Sequence, residues 1–345
     1  MRTLVTGASG FVGTHLVKRL LEQGRSVRVL LHKDVDEPAH FRAFEVERIV
    51  GDIRDAACVR QAVQGMDIVY HLAAVISIDE NEPKDLLQQV NVEGTRRVAE
   101  ACLAEGVKRL IHMSSIHALS CWPREQAIDE TRALALDPRT HLAYDNSKAR
   151  GEQAVLDAVS RGLDAVIVNP VGIFGPEDYQ PSPTGEVLHQ LLYRRLPGLV
   201  RSGFHWVDVR DVADAAIAAE TRGEKGQRYI LTSEYIPITD IAAWVREWTG
   251  VSTPRFAAPM WLARMSAPFV MAWSRWRGNR PLFTRESMEI LRNHQLLHAT
   301  HAQQVLGFSP RPIRTCIWDA LHSIEQRGLF PKGHSMPKNT LYPAP

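Results

Sequence analysis

Thr6-Gly7-Ala8-Ser9-Gly10-Phe11-Val12-Gly13 stands between an apolar run, Thr3–Thr6, and a helix-like stretch from Thr14 to Gln23. A glycine run in that position lets the chain turn tightly from a strand into a helix and lets its backbone approach a pyrophosphate. The free N–H groups and the dipole at the helix start favour the negative charge. The glycines are spaced three and three, not the two and three of the commonest dinucleotide fingerprint, so a plain strand-to-helix turn is the competing reading.

The surrounding pattern favours the ligand site. Short β-rich runs at Thr3–Thr6, Val27–Leu31, Arg48–Val50, Ile68–Leu72, Leu110–Ser114 and Ala165–Asn169 alternate with helical stretches such as Thr14–Gln23, Ala57–Val63 and Val92–Ala104. Repeated units of this kind predict an α/β fold with a Rossmann-type doubly wound parallel sheet. After Asn169, turns at Gly172, Gly175, Pro176, Pro181 and Pro183 break the pattern. A helix around Glu186–Arg195 follows, then a sheet-like pair, His205–Val209 and Arg228–Thr232, with helix Val212–Glu220 between them. The expected division is a dinucleotide-binding domain over 1–170, to which 205–232 returns, and a smaller, mostly helical substrate lobe over 171–204 and 233–330. The Pro-rich stretch 331–345 reads as a loosely ordered tail.

A carboxylate that recognises the cofactor ribose is expected about twenty residues after the last glycine. The second strand ends Leu30-Leu31-His32-Lys33-Asp34, so Leu31 occupies the acid's position and Asp34 comes too late. His32 and Lys33 are suited to a 2′-phosphate, which favours NADP over NAD.

Tyr144 and Lys148 are four residues apart and share a face if helical. A phenol, with an ordinary pKa of about 10, is a weak acid or base at neutral pH. A neighbouring ammonium favours the phenolate and fits the tyrosine for proton transfer. The Ser114-Ser115 pair ends the fifth strand, where ligands of doubly wound sheets gather, and a hydroxyl there can hold a substrate oxygen against the tyrosine.

With these motifs in order, the chain resembles the extended short-chain dehydrogenase/reductases of the epimerase/dehydratase superfamily, and within them the dihydroflavonol-reductase and 3β-hydroxysteroid-dehydrogenase-like branch. The resemblance spans nearly the whole chain: TGASGFVG at Thr6–Gly13, GDIRD at Gly51–Asp55, HLAA at His71–Ala74, NVEGT at Asn91–Thr95, SSIHA at Ser114–Ala118, YDNSK at Tyr144–Lys148, NPVGIFGP at Asn169–Pro176 and WVDVRDVA at Trp206–Ala213. It implies that Ser115, Tyr144 and Lys148 are catalytic. It also implies cofactor contacts from Gly7, Ser9, Gly10, Phe11, Val12 and Gly13, from Asp52 and Ile53 at the adenine, and from Leu72, Ala73 and Ala74 near the phosphates. Pro170, Gly172 and Ile173 would border the nicotinamide. Asn91 matches an asparagine that supports the central helix or a proton relay. Homodimers are a further implication.

Many sugar-nucleotide epimerases follow the serine pair with Tyr-Gly, where this chain has Leu119-Ser120. Trp261, Met265, Phe269 and Trp273 recur at helical spacings, either as core or as the wall of an apolar pocket. The expected activity is therefore NAD(P)(H)-dependent reduction of a hydrophobic ketone or aldehyde, or oxidation of the matching secondary alcohol. An epimerase or dehydratase that recycles its cofactor, and a non-catalytic cofactor sensor, are the alternatives.

The chain has 345 residues and a formal net charge of +2, spread along its length, and nothing in it requires a nucleic-acid partner. Its four cysteines have no metal-ligand spacing, and the first strand begins near Met1 without a secretory signal, which suggests a cytoplasmic location. No apolar run spans a bilayer; Trp261–Trp276, which carries Arg264 and Arg275, reads as an amphipathic helix over the substrate pocket or as a membrane-surface contact. His294, His298 and His301 would share one helical face, but solvated histidines explain the spacing and no metal is expected.

Overall fold

The computed structural model describes residues 1–32, 38–76, 84–196, 198–263, 265–266, 289, 291 and 296–337. In chain order, its first half runs β1 (Arg2–Thr6), α1 (Phe11–Glu22), β2 (Ser26–His32), α2 (Ala39–Arg42), β3 (Glu47–Gly51), α3 (Ala56–Val63), β4 (Ile68–His71), α4 (Lys84–Leu87), a π-helical stretch Gln88–Gly94, α5 (Thr95–Ala104), β5 (Arg109–Met113), α6 (Ala143–Ser160) and β6 (Ala165–Pro170). The second half adds β7 (Gly172–Phe174), α7 (Pro183–Leu192), β8 (Leu199–Val200), β9 (Gly203–Asp208), α8 (Val209–Arg222), β10 (Arg228–Leu231), β11 (Glu234–Pro237), α9 (Ile238–Thr249), β12 (Ala257–Ala258) and α10 (Ile313–Gln326).

Seven strands form one parallel sheet in the order β10-β6-β5-β4-β1-β2-β3. Each central strand is apolar on both faces because helices cover both. Strand pleating sends Leu4, Leu30, Val69, Leu110 and Ile167 into a core shared with α3, α5 and α6. Their neighbours Val5, Val29, Tyr70, Ile111 and Val168 enter the opposite core, shared with α1 and α8. The chain reverses direction across the sheet between β1 and β4, so the loops after these strands open a crevice at their C-terminal ends, where ligands of such folds bind.

A third core is built by Phe174, Trp206, Trp248 and Ile317 with the apolar faces of α7, α9 and α10. The paired return predicted for His205–Val209 and Arg228–Thr232 divides. Only β10 joins the large sheet, beside β6, whereas β9 lies between β7 and β11 in a three-stranded sheet. Periodicity shows that both runs are strands but not which sheet each joins. Of the predicted tail, Met336 is buried with Trp248 in the third core and its N–H bonds Glu325, whereas Lys332, Gly333, Ser335 and Pro337 are exposed. Residues 338–345 lie outside the described part.

Candidate active site

The glycine loop is shaped by contacts that leave no room for side chains. Gly7 has φ +70°, and a Cβ there would meet Ala73 N at 2.7 Å, in the loop after β4. A Cβ at Gly13 would lie 2.1 Å from the Gly7 carbonyl oxygen, so α1 can press against β1 only with glycine here. Gly10 is the N-cap of α1; it supplies no capping side chain, and no acid lies in the first turn. The helix start therefore presents backbone donors without a competing carboxylate, a fit for a pyrophosphate.

From this loop a single cavity of about 810 Å³ runs across the sheet edge to Ser115, Tyr144 and Lys148. Gly7, Ser9 to Gly13, His32, Asp52, Ile53, Leu72 to Ala74, Pro170, Gly172 and Ile173 also line it. Asn91 does not. Buried at 2% exposure, its side chain accepts from Val75 N (2.8 Å) and donates to Val75 O (2.9 Å) and Ser147 Oγ (3.0 Å), tying the loop after β4 to α6. Lys33 lies outside the described residues.

At the far end of β2, Leu30 and His32 face the cavity while Leu31, the position aligned with a ribose-binding acid, turns into the core. Strand alternation makes His32 the ligand-facing residue. Its Nε2 lies 3.3 Å from Asp52. Arg54, which the sequence reading did not single out although it sits in the GDIRD motif, also lines the cavity and donates to both Asp52 oxygens. The guanidinium holds the Asp52 carboxyl at about 2.

The catalytic candidates come from two elements, the end of β5 and α6. Ser115 follows β5 and its Oγ accepts from His117 N (3.3 Å), capping the short turn Ile116–Ala118. Tyr144 and Lys148 lie one turn apart on α6. Burial pushes the Tyr144 phenol above its ordinary range; the Ser115 hydroxyl opposes that rise and the Asp145 charge adds to it. The lowering by Lys148 expected from spacing is not what the geometry gives: the Lys148 Nζ donates to Met113 O at 3.1 Å. Burial lowers the Lys148 ammonium to about 8, opposed by the charge of Glu152. Glu152, fully buried on the next turn, accepts from Ser114 Oγ (2.6 Å) and Asn169 Nδ2 (2.9 Å) and pairs with Arg228. Asn169 also donates to Ser115 O at 2.9 Å. This buried network under the site was missed because its members are scattered over four elements.

Past Ser115 and Tyr144 the cavity is walled by Val187, Leu196, Leu199, Val200, Phe204 and Leu291, with His117 and His205 among the polar exceptions. Met260 and Ala263 pack behind Val200 and Leu291. Trp261 and Met265 are exposed instead of lining the pocket, and Phe269 and Trp273 lie outside the described residues. The histidine triplet does not form a shared helical face in the described part: His298 precedes the helical turn and His301 stacks on Tyr229 at 4.7 Å, while His294 is outside it. No cluster of metal-ligand type occurs among the described residues, and none of their helices is long and apolar enough to cross a membrane.

Residues 3–231 match the NAD dependent epimerase/dehydratase family. The chain is 33% identical to a sterol demethylase protein B of Methylococcus capsulatus, over 96% of this chain and 100% of the relative. It is likewise 33% identical to a putative dihydroflavonol 4-reductase of Synechocystis, over 94% of each. The crystal structure of gox2253 superposes with a TM-score of 0.82 at 32% identity, covering 95% of this chain and 99% of that one. The chain belongs to the NAD dependent epimerase/dehydratase family and is an enzyme of its extended short-chain dehydrogenase/reductase type.

Proposed function

We propose that the protein is an NADP(H)-preferring reductase of hydrophobic ketones or aldehydes, catalysed by Ser115, Tyr144 and Lys148. The observation that carries this reading is the composition of the cavity beyond Ser115. Its walls are mainly aliphatic and aromatic, with Gln180, Ser182, Thr184, His117 and His205 as polar members; apart from Arg54 at the adenine end, the described lining residues include no arginine, and no lysine other than Lys148, to hold a diphosphate. The names of the relatives, a sterol demethylase protein and a dihydroflavonol reductase, support the same substrate class.

When bound, the nicotinamide supplies or accepts a hydride. The glycine loop and the start of α1 would hold its pyrophosphate, and His32 with Arg54 would face the adenine-side ribose. Both are N–H donors, which suits a 2′-phosphate. Ser115 Oγ orients the substrate oxygen. Tyr144, kept protonated by burial, donates its proton to that oxygen as a carbonyl is reduced, and Lys148, one turn along, would steady the nicotinamide ribose.

Tyr144→Phe tests the reading. Turnover of a bicyclic ketone with NADPH is expected to fall by about 10²–10⁴, while NADPH binding, followed by nicotinamide fluorescence, stays within about threefold. NADPH should bind the wild type more tightly than NADH. Undiminished turnover overturns the catalytic assignment, and tighter NADH binding overturns the cofactor preference.

A further inference from the structure

The net charge of +2 hides a local excess. Residues 187–207 and 248–285 hold nine of the 41 lysines and arginines, all nine of them arginine, and none of the 39 aspartates and glutamates. The structure joins the two stretches. β8 and β12 pair with Leu199 opposite Ala257 and Val200 opposite Ala258, and Arg201 donates from its backbone to Ala258 O (2.9 Å) and from Nε to Ala257 O (3.2 Å). Arg201 and Arg255 are both exposed at this junction. The described acids that border the stretches have partners of their own: Glu186 accepts from Gln190, Asp208 pairs with Arg210 and Glu247 pairs with Arg314.

At the same junction the usual arrangement of a surface helix is inverted. In the helical turn after β12, Ala263 is buried and packs, with the partly buried Met260, against Val200 and Leu291. Trp261 and Met265, four positions apart and so on one face, are 64% and 68% exposed. Phe256, whose carbonyl accepts from Leu199 N at 3.0 Å, is 64% exposed. Single exposed apolar side chains are ordinary, but three large ones within ten positions, set among arginines, mark an interaction surface. Aromatic rings beside guanidinium groups, with no carboxylate among them, suit the headgroup layer of a bilayer. The rings and the thioether reach the acyl boundary while the guanidinium groups stay with the phosphates.

We infer that Phe256, Trp261 and Met265, with Arg201 and Arg255, form a docking face for the surface of an anionic phospholipid membrane. Charge complementarity selects this partner over a second copy of the chain, since a two-fold contact through this face would bring the same arginines together. A nucleic acid would satisfy the arginines but offers Met265 no apolar phase. Val200 and Leu291, against which the turn packs, also line the large cavity, so docking brings the wall of an apolar cavity towards the phase in which apolar substrates collect.

Vesicle flotation tests the inference without turnover, and so independently of the reductase reading. The wild type is expected to float with phosphatidylcholine vesicles that contain about 30% phosphatidylglycerol, to bind pure phosphatidylcholine at least about tenfold more weakly, and to lose most binding in about 0.5 M NaCl. Trp261→Ser with Met265→Ser removes two exposed side chains that do not line the cavity and should weaken binding at least about tenfold. Arg201→Gln with Arg255→Gln should weaken it by about 25-fold, about fivefold for each charge. Unchanged NADPH affinity shows that each variant is folded. Absence of binding to the anionic vesicles, equal binding to neutral and anionic vesicles, or wild-type binding by both variants overturns the inference. A dimer in sedimentation velocity that Trp261→Ser with Met265→Ser converts to a monomer, without vesicle binding by either protein, overturns it in favour of a second copy. A single-stranded oligonucleotide bound more tightly than the vesicles, and lost by both variants, overturns it in favour of a nucleic acid.

Discussion

Replacing Lys148 by methionine should make the protein more stable at neutral pH, by an amount that vanishes in alkali. Lys148 is 5% exposed, and burial lowers its ammonium from 10.5 to about 8. In the unfolded chain the group keeps its proton up to the higher value. Between these two pH values the unfolded state binds more protons than the folded state, so stability rises with pH across that window. Below about pH 8 the penalty is fully present, and the shift corresponds to about 3 kcal/mol. Methionine fills a similar volume without a charge and leaves Glu152 its partner Arg228. It also strands the Met113 carbonyl, a pH-independent cost of about 1 kcal/mol that displaces the curve without changing its slope. Urea unfolding of both proteins without cofactor, at intervals from pH 7 to pH 10.5, measures the difference directly. The variant's advantage over the wild type should shrink by about 3 kcal/mol over that range. Parallel stability curves would refute the claim that this ammonium is held in the folded state against its solvation.

Gly13→Ala places a methyl group 2.1 Å from the Gly7 carbonyl, so the loop and α1 must separate; a loss of about 1–3 kcal/mol in stability and at least about tenfold in NADPH affinity is expected by thermal melting and fluorescence titration. Glu152→Gln removes the charge that supports the Lys148 ammonium and breaks the pair with Arg228. The alkaline limb of kcat/KM should move to lower pH, since Lys148 then loses its proton below about 8, and stability should fall by about 3–5 kcal/mol; a limb that stays in place would show that Lys148 does not set it.

The parts of the fold readable from sequence were those in which local physics and global position coincide. The apolar runs of β1, β2, β4, β5 and β6 are bounded by turns, and burial on both faces leaves them uninterrupted. The glycine loop was readable because its constraint is steric and local. Tyr144 and Lys148 were readable as a helical pair, and Ser115 as the end of a strand. The rest depended on distances that no spacing encodes. β9 and β10 look alike as strings yet enter different sheets, and Glu152, Asn169 and Arg228 meet only after β6 and β10 pair. His32 was preferred over Leu31 on chemical grounds, and the pleat supplies the geometric reason. Arg54 was overlooked although it stands two residues from Asp52 in the GDIRD motif; what the string does not show is that the pairing of β2 with β3 brings His32 to the same carboxylate.

The apolar cavity and the protonation of its polar groups are one property seen twice. Walls that exclude water favour a hydrophobic substrate, and the same dry surroundings raise the Tyr144 phenol and lower the Lys148 ammonium, because each shift disfavours a charge. A neutral phenol is a proton donor at physiological pH, the form that the proposed carbonyl reduction uses. Lys148, at about 8, stands near neutrality and lies one helical turn from the phenolate that reduction creates. Under the proposed reductase reading, a drier pocket therefore raises the affinity for an apolar ketone and keeps the Tyr144 proton in place until it is transferred.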